Sequence, residues 1–426
     1  MKSPQQIVVI GNGIAGNSAA EAIRKFDPTA RVTLVSDEEH PLYSPCAFHK
    51  YFSREMEERK LFLKNFDHYS RLGIHALLGK TISEIDLTKR EVCLDSMRIP
   101  FAKLILATGS KASLPPFKGI EKKGVFTLKT LKDAREIFSH PAKKVVVVGS
   151  GPTGIEAAVG LRKKGLKVIL LSRSRMLRKL FDEEAATLLK SSLERGGIEV
   201  FTGEQVSEII GGGTVEGLDT NKRRLTCDMI ILSSGVHPNV ELARNSGLEI
   251  GKLRGIKTDD YLMTNAEEIY ACGDCVESKD MITGEVVLSL RWPNAKRQGF
   301  ICGWNCSGER KRFTGSFNIT TLEIFGTYAV SAGVGAASPE GEKLYETAEK
   351  KEGSTYTRLV MKDKALVGMQ LINKSEYGGL LLSRMLRKDN LLEAAREVQN
   401  DKLLSRKPWN YWMKHYSLFC REIIPQ

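Results

Sequence analysis

Two glycine clusters have the spacing of a turn that binds a pyrophosphate. Gly11, Gly13 and Gly16 follow the apolar residues 7–10, and the cluster GSGPTG at 149–154 follows a similar apolar run. In such clusters the first glycine permits a tight turn, the second lets the backbone approach a phosphate, and the third lets helix and strand pack closely. The helix that starts there offers free N–H groups and its positive dipole end to the anion. The pair therefore predicts two dinucleotide-binding turns in one chain.

The elements around both clusters repeat in the same order. Each cluster lies between a β-branched run and a helix-like segment, and a second apolar run follows at 31–36 and 167–172. Further apolar runs at 104–107 and 229–232 end in turns of small residues, which allow close approach of a ligand. Two such units fit parallel sheets with crossover helices. We therefore predict an α/β fold with two Rossmann-like dinucleotide-binding domains.

The composition is that of a folded globular protein. Of 426 residues, 42% are hydrophobic and 27% are charged. No apolar run reaches the roughly 18 residues that a transmembrane helix needs. The N-terminus enters a strand-like run without the apolar segment of a signal peptide. Eight cysteines without such a signal predict the reducing cytoplasm rather than a disulfide framework.

The chain carries a large positive charge. Lys and Arg number 64 and Asp and Glu number 51, so the formal net charge is 64 − 51 = +13. Such an excess attracts anions, including phosphate cofactors, acidic proteins and nucleic acids. No helix-turn-helix, RRM or zinc-finger pattern accompanies the charge, so nucleic acid is not an expected partner.

Five motifs together carry a resemblance to a known family. They are GNGIAG at 11–16, LILATGS at 104–110, GSGPTGIE at 149–156, IYACGD at 269–274 and RWPNAKRQG at 291–299. With these motifs the chain resembles the two-dinucleotide flavoproteins of the pyridine nucleotide-disulfide oxidoreductase superfamily. Within that superfamily it is similar to rubredoxin and ferredoxin reductases, coenzyme A-disulfide reductases and NADH oxidases. It is also similar to the FAD subunits of phenylglyoxylate dehydrogenase and tungsten aldehyde oxidoreductase.

The resemblance implies a domain order. It places an FAD-binding domain in two parts at 1–113 and 244–312, an NAD(P)-binding domain at 114–243, and a C-terminal α+β interface domain at 313–426. Within the last of these, strand-like runs alternate with turns ahead of a helix-like segment. The aromatic and basic segment 407–419 would either contact a partner subunit or dock onto its own domain.

The resemblance also implies the FAD contacts. The glycines of the first cluster would hold the pyrophosphate, Thr108 and Gly109 would approach the flavin, and Asp274 would bind the ribityl chain. The adenosine ribose is assigned to Asp37, with Glu38 as a rival, because Ser36 stands where the family usually has an acid. The full set of implied FAD residues is Gly11, Gly13, Ala15, Gly16, Asp37, Glu38, Ser44, Pro45, Thr108, Gly109, Gly273, Asp274, Trp292 and Pro293.

The second cluster would hold the nicotinamide dinucleotide. NAD-specific relatives usually carry a carboxylate at the end of the second strand, whereas this chain has Ser172 followed by Arg173, with Arg178 further on. Arginines can bind a 2′-phosphate through two parallel hydrogen bonds, so the charge favours NADP(H) over NAD(H), with a solvated basic face as the alternative. The implied residues are Gly149, Gly151, Thr153, Gly154, Arg173, Arg178 and Gly235.

Three residues are candidates for chemistry beside the flavin. In ferredoxin-reductase-like relatives a lysine pairs with a glutamate near flavin N5, and Lys50 and Glu156 match those positions. The pair would place a positive charge there and stabilise the reduced flavin. Cys46 matches the single redox cysteine of coenzyme A-disulfide reductases, although the residues after it differ from that motif. It is either a redox thiol or an inert buried cysteine.

No metal site is predicted. Cys272, Cys275, Cys302 and Cys306 have a spacing that could form a four-thiolate site. The first two flank the flavin motif, however, and the last two are one helical turn apart, as ordinary packing would place them. The seven histidines show no HxxxH or HExxH spacing.

The leading hypothesis is an FAD-dependent NAD(P)H oxidoreductase. It would exchange hydride with the nicotinamide and single electrons with an acidic iron–sulfur protein or an oxidoreductase partner subunit, which the net charge would attract. One alternative reduces a small molecule such as coenzyme A disulfide, peroxide or oxygen through Cys46. Another is an FAD relay subunit that turns over only inside a complex. The sequence is also compatible with a homodimer.

Overall fold

The computed structural model describes residues 4–335 and 344–387, which divide into two compact units. Unit 1 holds the described chain up to Ser44, together with Glu58–Lys111 and Val236–Phe317. Unit 2 holds Pro45–Glu57, Ala112–Gly235 and the described chain from Asn318 onward. The chain therefore leaves each unit and returns to it.

The elements follow the alternation of strands and helices that the sequence indicates. The strands in the first half of the chain are β1 (Gln6–Ile10), β2 (Arg31–Ser36), β3 (Ile74–Leu78), β4 (Glu84–Asp86), β5 (Glu91–Leu94), β6 (Met97–Pro100), β7 (Lys103–Leu106), β8 (Ser110–Ala112), β9 (Val125–Thr127), β10 (Lys144–Val148), β11 (Lys167–Ser172), β12 (Ile198–Thr202) and β13 (Val206–Ile210). The later strands are β14 (Gly217–Thr220), β15 (Arg224–Thr226), β16 (Met229–Leu232), β17 (Val236–Pro238), β18 (Ile269–Ala271), β19 (Glu277–Lys279), β20 (Val286–Leu288), β21 (Ile319–Ile324), β22 (Thr327–Gly333), β23 (Glu346–Glu352), β24 (Thr355–Lys362) and β25 (Ala365–Ile372). The helices are α1 (Ile14–Phe26), α2 (Phe48–Phe52), α3 (Phe66–Arg71), α4 (Leu131–Ser139), α5 (Pro152–Lys163), α6 (Glu183–Arg195), α7 (Glu241–Asn245), α8 (Trp292–Cys306) and α9 (Gly378–Arg387).

Unit 1 is built on a five-stranded parallel sheet in the order β18-β7-β1-β2-β3. The register of its central pairs is set by Ile7 opposite Val32 and Ile7 opposite Lys103. Strands β1 and β7 are buried on both faces, as expected for a parallel sheet covered by helices. The antiparallel strands β4-β5-β6 and β19-β20 form small additional sheets.

Unit 2 repeats this arrangement. Its parallel sheet has the order β12-β11-β10-β16-β9, so β10, β11 and β16 correspond to β1, β2 and β7 of Unit 1. An antiparallel sheet β13-β14-β15 accompanies it. The two parallel sheets confirm the predicted pair of Rossmann-like units.

The third part of the predicted fold is also confirmed. In Unit 2, the chain from Asn318 forms a five-stranded antiparallel sheet in the order β21-β22-β25-β24-β23, followed by α9. Strand β23 is mostly exposed and carries charges of both signs, a composition that protects an edge strand from pairing with another chain. The aromatic segment 407–419 lies outside the described residues.

Helix α1 packs closely along α8 in Unit 1. A Cβ added to Gly299 would lie 2.0 Å from the Ala15 carbonyl oxygen, and one added to Gly303 would lie 2.3 Å from the Ala19 oxygen. The two helices therefore meet backbone to backbone, and small residues at these four positions allow it. Because α1 starts at the first glycine cluster, this contact fixes the helix that would face the pyrophosphate.

None of the helices formed by the described residues has both the length and the apolar character needed to cross a lipid bilayer.

We predict that Gly299→Ala lowers the free energy of unfolding by about 1–3 kcal/mol, because the new methyl group overlaps the α1 backbone. Urea denaturation followed by circular dichroism measures the change. Gly379→Ala is the control, since a Cβ at that position of α9 meets no atom within 4 Å and helix propensity favours Ala. Equal stability of the Gly299 variant and wild type would contradict the packing argument.

Candidate functional site

The first glycine cluster forms a tight turn between β1 and α1. Gly11 has a φ of +110°, and a Cβ there would lie 2.2 Å from the carbonyl oxygen of Ala107. A Cβ on Gly16 would lie 1.9 Å from the Gly11 carbonyl oxygen. By contrast, a Cβ on Gly13 would meet no atom within 4 Å. The outer glycines are therefore required by the fold, whereas the middle one faces open space.

The second cluster repeats the geometry in Unit 2. Gly149 has a φ of +119°, and a Cβ there would lie 2.1 Å from the Ser233 carbonyl oxygen. A Cβ on Gly154 would lie 2.1 Å from the Gly149 carbonyl oxygen, and one on Gly151 would meet nothing within 4 Å. The same distances recur because the two turns have the same backbone path.

The backbone donors of both helix N-termini are available, except that Pro152 at the start of α5 has no N–H. The N-cap residues are Gly13 for α1 and Gly151 for α5, and neither can provide a capping side chain. The first amide groups of a helix have no intrahelical acceptor, and the helix dipole adds positive potential there. An open space over uncapped amides fits a pyrophosphate, so the residues present suit a dinucleotide in each turn.

A polar network that the motifs do not predict fixes the first turn. The Asn17 side-chain amide donates to Asn12 Oδ1 at 2.7 Å, and the Tyr69 hydroxyl donates to the same oxygen at 2.9 Å. The Asn12 amide donates to the His40 carbonyl at 2.8 Å, and the Tyr69 hydroxyl accepts from the Leu42 amide at 3.0 Å. These hydrogen bonds connect the glycine turn to residues 40–42. In the sequence, Asn12 and Asn17 are the signal that could have indicated the network.

The residues after β7 form a second part of the Unit 1 site. Gly109 adopts a φ of +68° with open space around its Cβ position. The Thr108 hydroxyl donates to the Asn239 carbonyl at 2.6 Å. The Ser110 hydroxyl donates to Asp274 Oδ2 at 2.8 Å, which places the predicted ribityl-binding carboxylate beside the turn after β7. The predicted site residues did not include Asn239 or Ser110, although Ser110 ends the motif at 104–110.

Helix α8 supports the Gly273–Asp274 turn. Gly273 has a φ of +86°, and its amide donates to Gln298 Oε1 at 2.6 Å. Trp292 and Pro293 are the first two residues of α8. Trp292 is half-buried and Pro293 is exposed.

The remaining predicted FAD residues lie at strand and loop ends. Asp37 is exposed and Glu38 half-buried directly after β2, and Ala15 is buried in α1. Ser44 is half-buried in Unit 1, and its amide donates to the Leu61 carbonyl at 2.9 Å. Half-buried Pro45 opens a short 3-10 turn in Unit 2.

Cys46, Lys50 and Glu156 belong to the same unit. Cys46 lies in the 3-10 turn that precedes α2, and its side chain is exposed, which argues against the alternative of an inert buried cysteine. Lys50 is an exposed residue of α2, and Glu156 is a half-buried residue of α5. The two helices pack against each other, while the pairing of Lys50 with Glu156 stays a prediction.

Several contacts dock α2 onto Unit 2. A Cβ on Gly160 would lie 2.4 Å from the His49 carbonyl oxygen, so α2 and α5 meet at their backbones. The Tyr51 ring stacks on Phe138 with centroids 4.4 Å apart. The Lys163 ammonium donates to Glu55 Oε1 at 2.9 Å. The segment that carries Cys46 and Lys50 is thus fixed to the rest of Unit 2.

The basic residues of Unit 2 divide into two groups. Arg162 donates to the Gly196 carbonyl, and Lys164 donates to the Phe138 carbonyl, so these cations hold the fold together. Arg173 and Arg178 are exposed after β11, where the sequence predicts contact with the nucleotide. Ser172 ends that strand and accepts a hydrogen bond from Ser150 of the glycine turn at 2.7 Å. Thr153 is exposed in the first turn of α5, and Gly235 is exposed in an open turn.

The four spaced cysteines of Unit 1 are buried thiols. Cys275 donates to the Cys272 carbonyl at 3.2 Å, and Cys302 donates to the Ala271 carbonyl at 3.5 Å. Burial raises the pKa of Cys275 to about 12, and burial followed by the neighbouring Cys272 raises the pKa of Cys302. In the described parts of the chain, no group of three or more His, Cys, Asp or Glu residues could hold a metal ion.

Comparisons with known proteins agree with this geometry. The family model described as pyridine nucleotide-disulphide oxidoreductase matches residues 5–299. An NADH oxidase of Methanocaldococcus jannaschii is 33% identical over 337 residues, which cover 75% of this chain and 75% of that protein. The epsilon subunit of NADH-dependent phenylglyoxylate dehydrogenase of Aromatoleum evansii is 28% identical, with 90% of this chain and 92% of that protein covered.

A solved structure shares the fold over most of the chain. The NAD-dependent persulfide reductase of A. fulgidus superposes with a TM-score of 0.85 at 26% identity, covering 91% of this chain and 78% of that chain. Other similar proteins are longer. The chain spans about half of the nitrite reductase and of the assimilatory nitrate reductase electron transfer subunit of Bacillus subtilis, 48% and 51% respectively.

His49, three residues after Cys46, gives a pH-dependent prediction. It is half-buried in α2, and in the described chain its Nδ1 atom has no hydrogen-bond partner. Burial, and then the charge of Lys50, lower its pKa below the ordinary 6.5. Just below pH 6.5 the ring is therefore protonated in the unfolded chain but still neutral in the folded protein. Protonation then favours the unfolded chain, so the free energy of unfolding decreases as the pH falls towards the lower folded-state pKa.

We predict that His49→Gln reduces the loss of stability between pH 7.5 and 5.5. Urea denaturation at both pH values measures it. The control is His75→Gln, since His75 is exposed on β3 and solvated in both states. An unchanged pH dependence in the His49 variant would show that its environment does not favour the neutral ring.

Proposed function

The chain belongs to the pyridine nucleotide-disulphide oxidoreductase family, and we propose that within this family it exchanges hydride with NAD(P)(H) and single electrons with an iron–sulfur protein or partner subunit. It is an oxidoreductase, and FAD and a pyridine nucleotide are the cofactors that its family uses. The pair of open, uncapped glycine turns is the observation that carries the proposal. Each turn offers one dinucleotide site, and together they bring two redox cofactors to one chain.

In this proposal Unit 1 holds FAD. The amides after Gly13 bind the pyrophosphate, and Asp37 or Glu38 accepts hydrogen bonds from the adenosine ribose. Asp274, positioned by Ser110, accepts from the ribityl hydroxyl groups. Gly109 provides backbone without a side chain, so the flavin approaches closely there. Ala15, Gly273, Ser44, Pro45, Trp292 and Pro293 complete the proposed contacts.

Unit 2 holds the nicotinamide dinucleotide. The amides from Thr153 onward bind its pyrophosphate, because Pro152, the first residue of α5, has no N–H. Arg173 and Arg178 follow β11, and no carboxylate stands between β11 and Asp182 to accept from a free 2′-hydroxyl group. Guanidinium groups suit a 2′-phosphate, which supports NADP(H) over NAD(H).

When bound, FAD supplies the step between hydride and single-electron chemistry. The residues of the chain bind and orient the cofactor and place charged groups in its site. Lys50 supplies a positive charge in α2, and Glu156 on the adjacent α5 orients it. Such a positive charge favours the negative charge of a reduced flavin.

An acidic electron-transfer protein is the proposed partner. The net charge of +13 attracts such a protein and speeds its association. The match to the phenylglyoxylate dehydrogenase subunit runs over nearly the full length of both chains, which supports a role beside other subunits. Of the seven cysteines in the described residues, Cys46 alone is exposed, so an exposed dithiol that would relay electrons to a disulfide is lacking there.

The exposure of Cys46 favours a second candidate function. An accessible thiol three residues before His49 could attack a sulfur compound, because a thiolate is the reactive form of cysteine. Coenzyme A-dependent NAD(P)H sulfur oxidoreductases are among the similar proteins. In this alternative Cys46 carries the electrons to a small molecule.

We predict that Arg173→Ala and Arg178→Ala each raise the KM for NADPH by about tenfold and leave the KM for NADH within about twofold, since only NADPH carries the phosphate. Steady-state kinetics with both coenzymes gives these constants. Lys179→Ala is the matched control, as Lys179 is an exposed cation of the same loop. Equal effects of the arginine substitutions on both coenzymes would remove the assignment.

We predict that Cys46→Ser retains NAD(P)H-dependent reduction of ferricyanide and of an acidic ferredoxin within about twofold, because electron transfer to a protein needs no thiol. Anaerobic stopped-flow measurements follow both acceptors, with coenzyme A disulfide and polysulfide tested beside them. Ala47→Ser, in the same 3-10 turn, is the control. Loss of ferredoxin reduction would contradict the leading proposal, and loss of sulfur reduction alone would establish the second candidate.

A further inference from the structure

Asp182 in Unit 2 uses all of its polar atoms. Its backbone amide donates to Gln370 Oε1 at 2.9 Å, and its carbonyl accepts from Arg175 at 2.7 Å. One carboxylate oxygen caps α6 by accepting from the Ala185 amide at 2.8 Å. These contacts restrict the conformation of Asp182 and of the residues next to it.

The other carboxylate oxygen of Asp182 is bound by the C-terminal sheet. It accepts from the Tyr356 hydroxyl at 2.5 Å and from the Arg358 guanidinium at 2.9 Å, both on β24. Tyr356 is 2% exposed, Arg358 6% and Gln370 0%. Burial, and then the hydrogen bond to Asp182, raise the pKa of Tyr356, so its hydroxyl stays protonated and donates.

This cluster holds the loop between β11 and α6. Arg175 donates to the Phe181 and Asp182 carbonyls at 2.6 and 2.7 Å. The Ser331 hydroxyl of β22 donates to the Leu180 carbonyl at 2.6 Å. At the other end, the Leu177 amide donates to the Ser150 carbonyl at 3.2 Å, within the glycine turn.

The loop is therefore fixed between the nucleotide turn and the C-terminal sheet. Leu177 also has a φ of +52°, a conformation that costs free energy and persists only where surrounding contacts impose it. Exposed Arg173 and Arg178 lie on this loop. Their backbone positions follow from contacts made by buried neighbours.

A buried ion pair is a poor source of stability, because removing two charges from water costs much of what their attraction provides. Such a pair is better suited to fixing one arrangement of the chain. Here the loop that the pair fixes carries two arginines. A guanidinium group binds a phosphate through two parallel hydrogen bonds, so its position must be accurate.

We propose that Asp182, Tyr356 and Arg358 are positioning residues through which the C-terminal sheet sets the preference between NADPH and NADH. The inference rests on the proposed function, in which Arg173 and Arg178 bind the 2′-phosphate. Loss of the anchor misplaces these arginines but leaves the glycine turn intact. NADPH then loses affinity, whereas NADH, which depends on the turn, does not.

The test compares Tyr356→Phe with Tyr328→Phe, the same substitution at an exposed position of the same sheet. We expect Tyr356→Phe to lower the ratio of kcat/KM for NADPH to that for NADH by about fivefold. Tyr328→Phe should leave the ratio unchanged. Arg358→Lys is measured in parallel, so that the test does not depend on one variant folding.

A binding measurement without turnover completes the test. Calorimetry with adenosine 2′,5′-bisphosphate and with 5′-AMP isolates the contribution of the 2′-phosphate. We expect the anchor variants to weaken binding of the bisphosphate and not of 5′-AMP. Equal weakening of both probes, or no change in either, overturns the inference.

The arginine variants separate this inference from the proposed function. If Arg173→Ala and Arg178→Ala lose the bisphosphate while Tyr356→Phe and Arg358→Lys retain it, the anchor has no role and the coenzyme assignment stands. If the arginine variants bind both probes as wild type does, the coenzyme assignment itself fails, and the inference fails with it.

Discussion

The fold depends on backbone contacts that exclude side chains. At Gly16 and Gly154 a single methyl group would lie 1.9 and 2.1 Å from the carbonyl oxygens of Gly11 and Gly149. No rotamer can relieve such an overlap, because a Cβ has no freedom of its own. These contacts bring each helix start against its own turn and leave the amides of that start exposed beside an open space. The proposed dinucleotide sites thus follow from how strand and helix are joined, and a side chain at either glycine would disrupt that joint.

Backbone contacts that exclude a side chain also occur between helices in each unit. In Unit 1, Gly299 and Gly303 let α8 approach α1, so the helix that starts at the first glycine turn packs on the helix that supports the Gly273 turn. In Unit 2, Gly160 lets α2 approach α5. Close helix contacts therefore connect each glycine turn to a second group of functional residues. Small residues in these helices determine where charged and polar side chains lie, although they perform no chemistry themselves.

The parts of the structure that the sequence predicts are those with local signals. The apolar runs at 7–10 and 145–148 mark β1 and β10, and the glycine spacing after each marks the turn, because neighbouring residues alone determine both. The exposure of Cys46 was not predictable, since it depends on the docking of α2 through Gly160 and Phe138. The Asp182 cluster was equally hidden, because its partners Tyr356 and Gln370 lie 174 and 188 residues away. Nothing in the residues around Asp182 indicates that its carboxylate is bound by a sheet.

The basic stretch from Arg162 to Lys179 shows why charge alone is a weak guide to binding. Residues 162–179 contain eight cations and no acid. The structure uses Arg162 and Lys164 to bind backbone carbonyls and Lys163 to pair with Glu55. The Arg175 guanidinium likewise donates to backbone carbonyls of the loop on which it lies. A cation whose donors are already satisfied contributes long-range potential but no directed hydrogen bond to a ligand. The net charge can thus attract an acidic partner, whereas the proposed preference for NADP(H) depends on Arg173 and Arg178 alone.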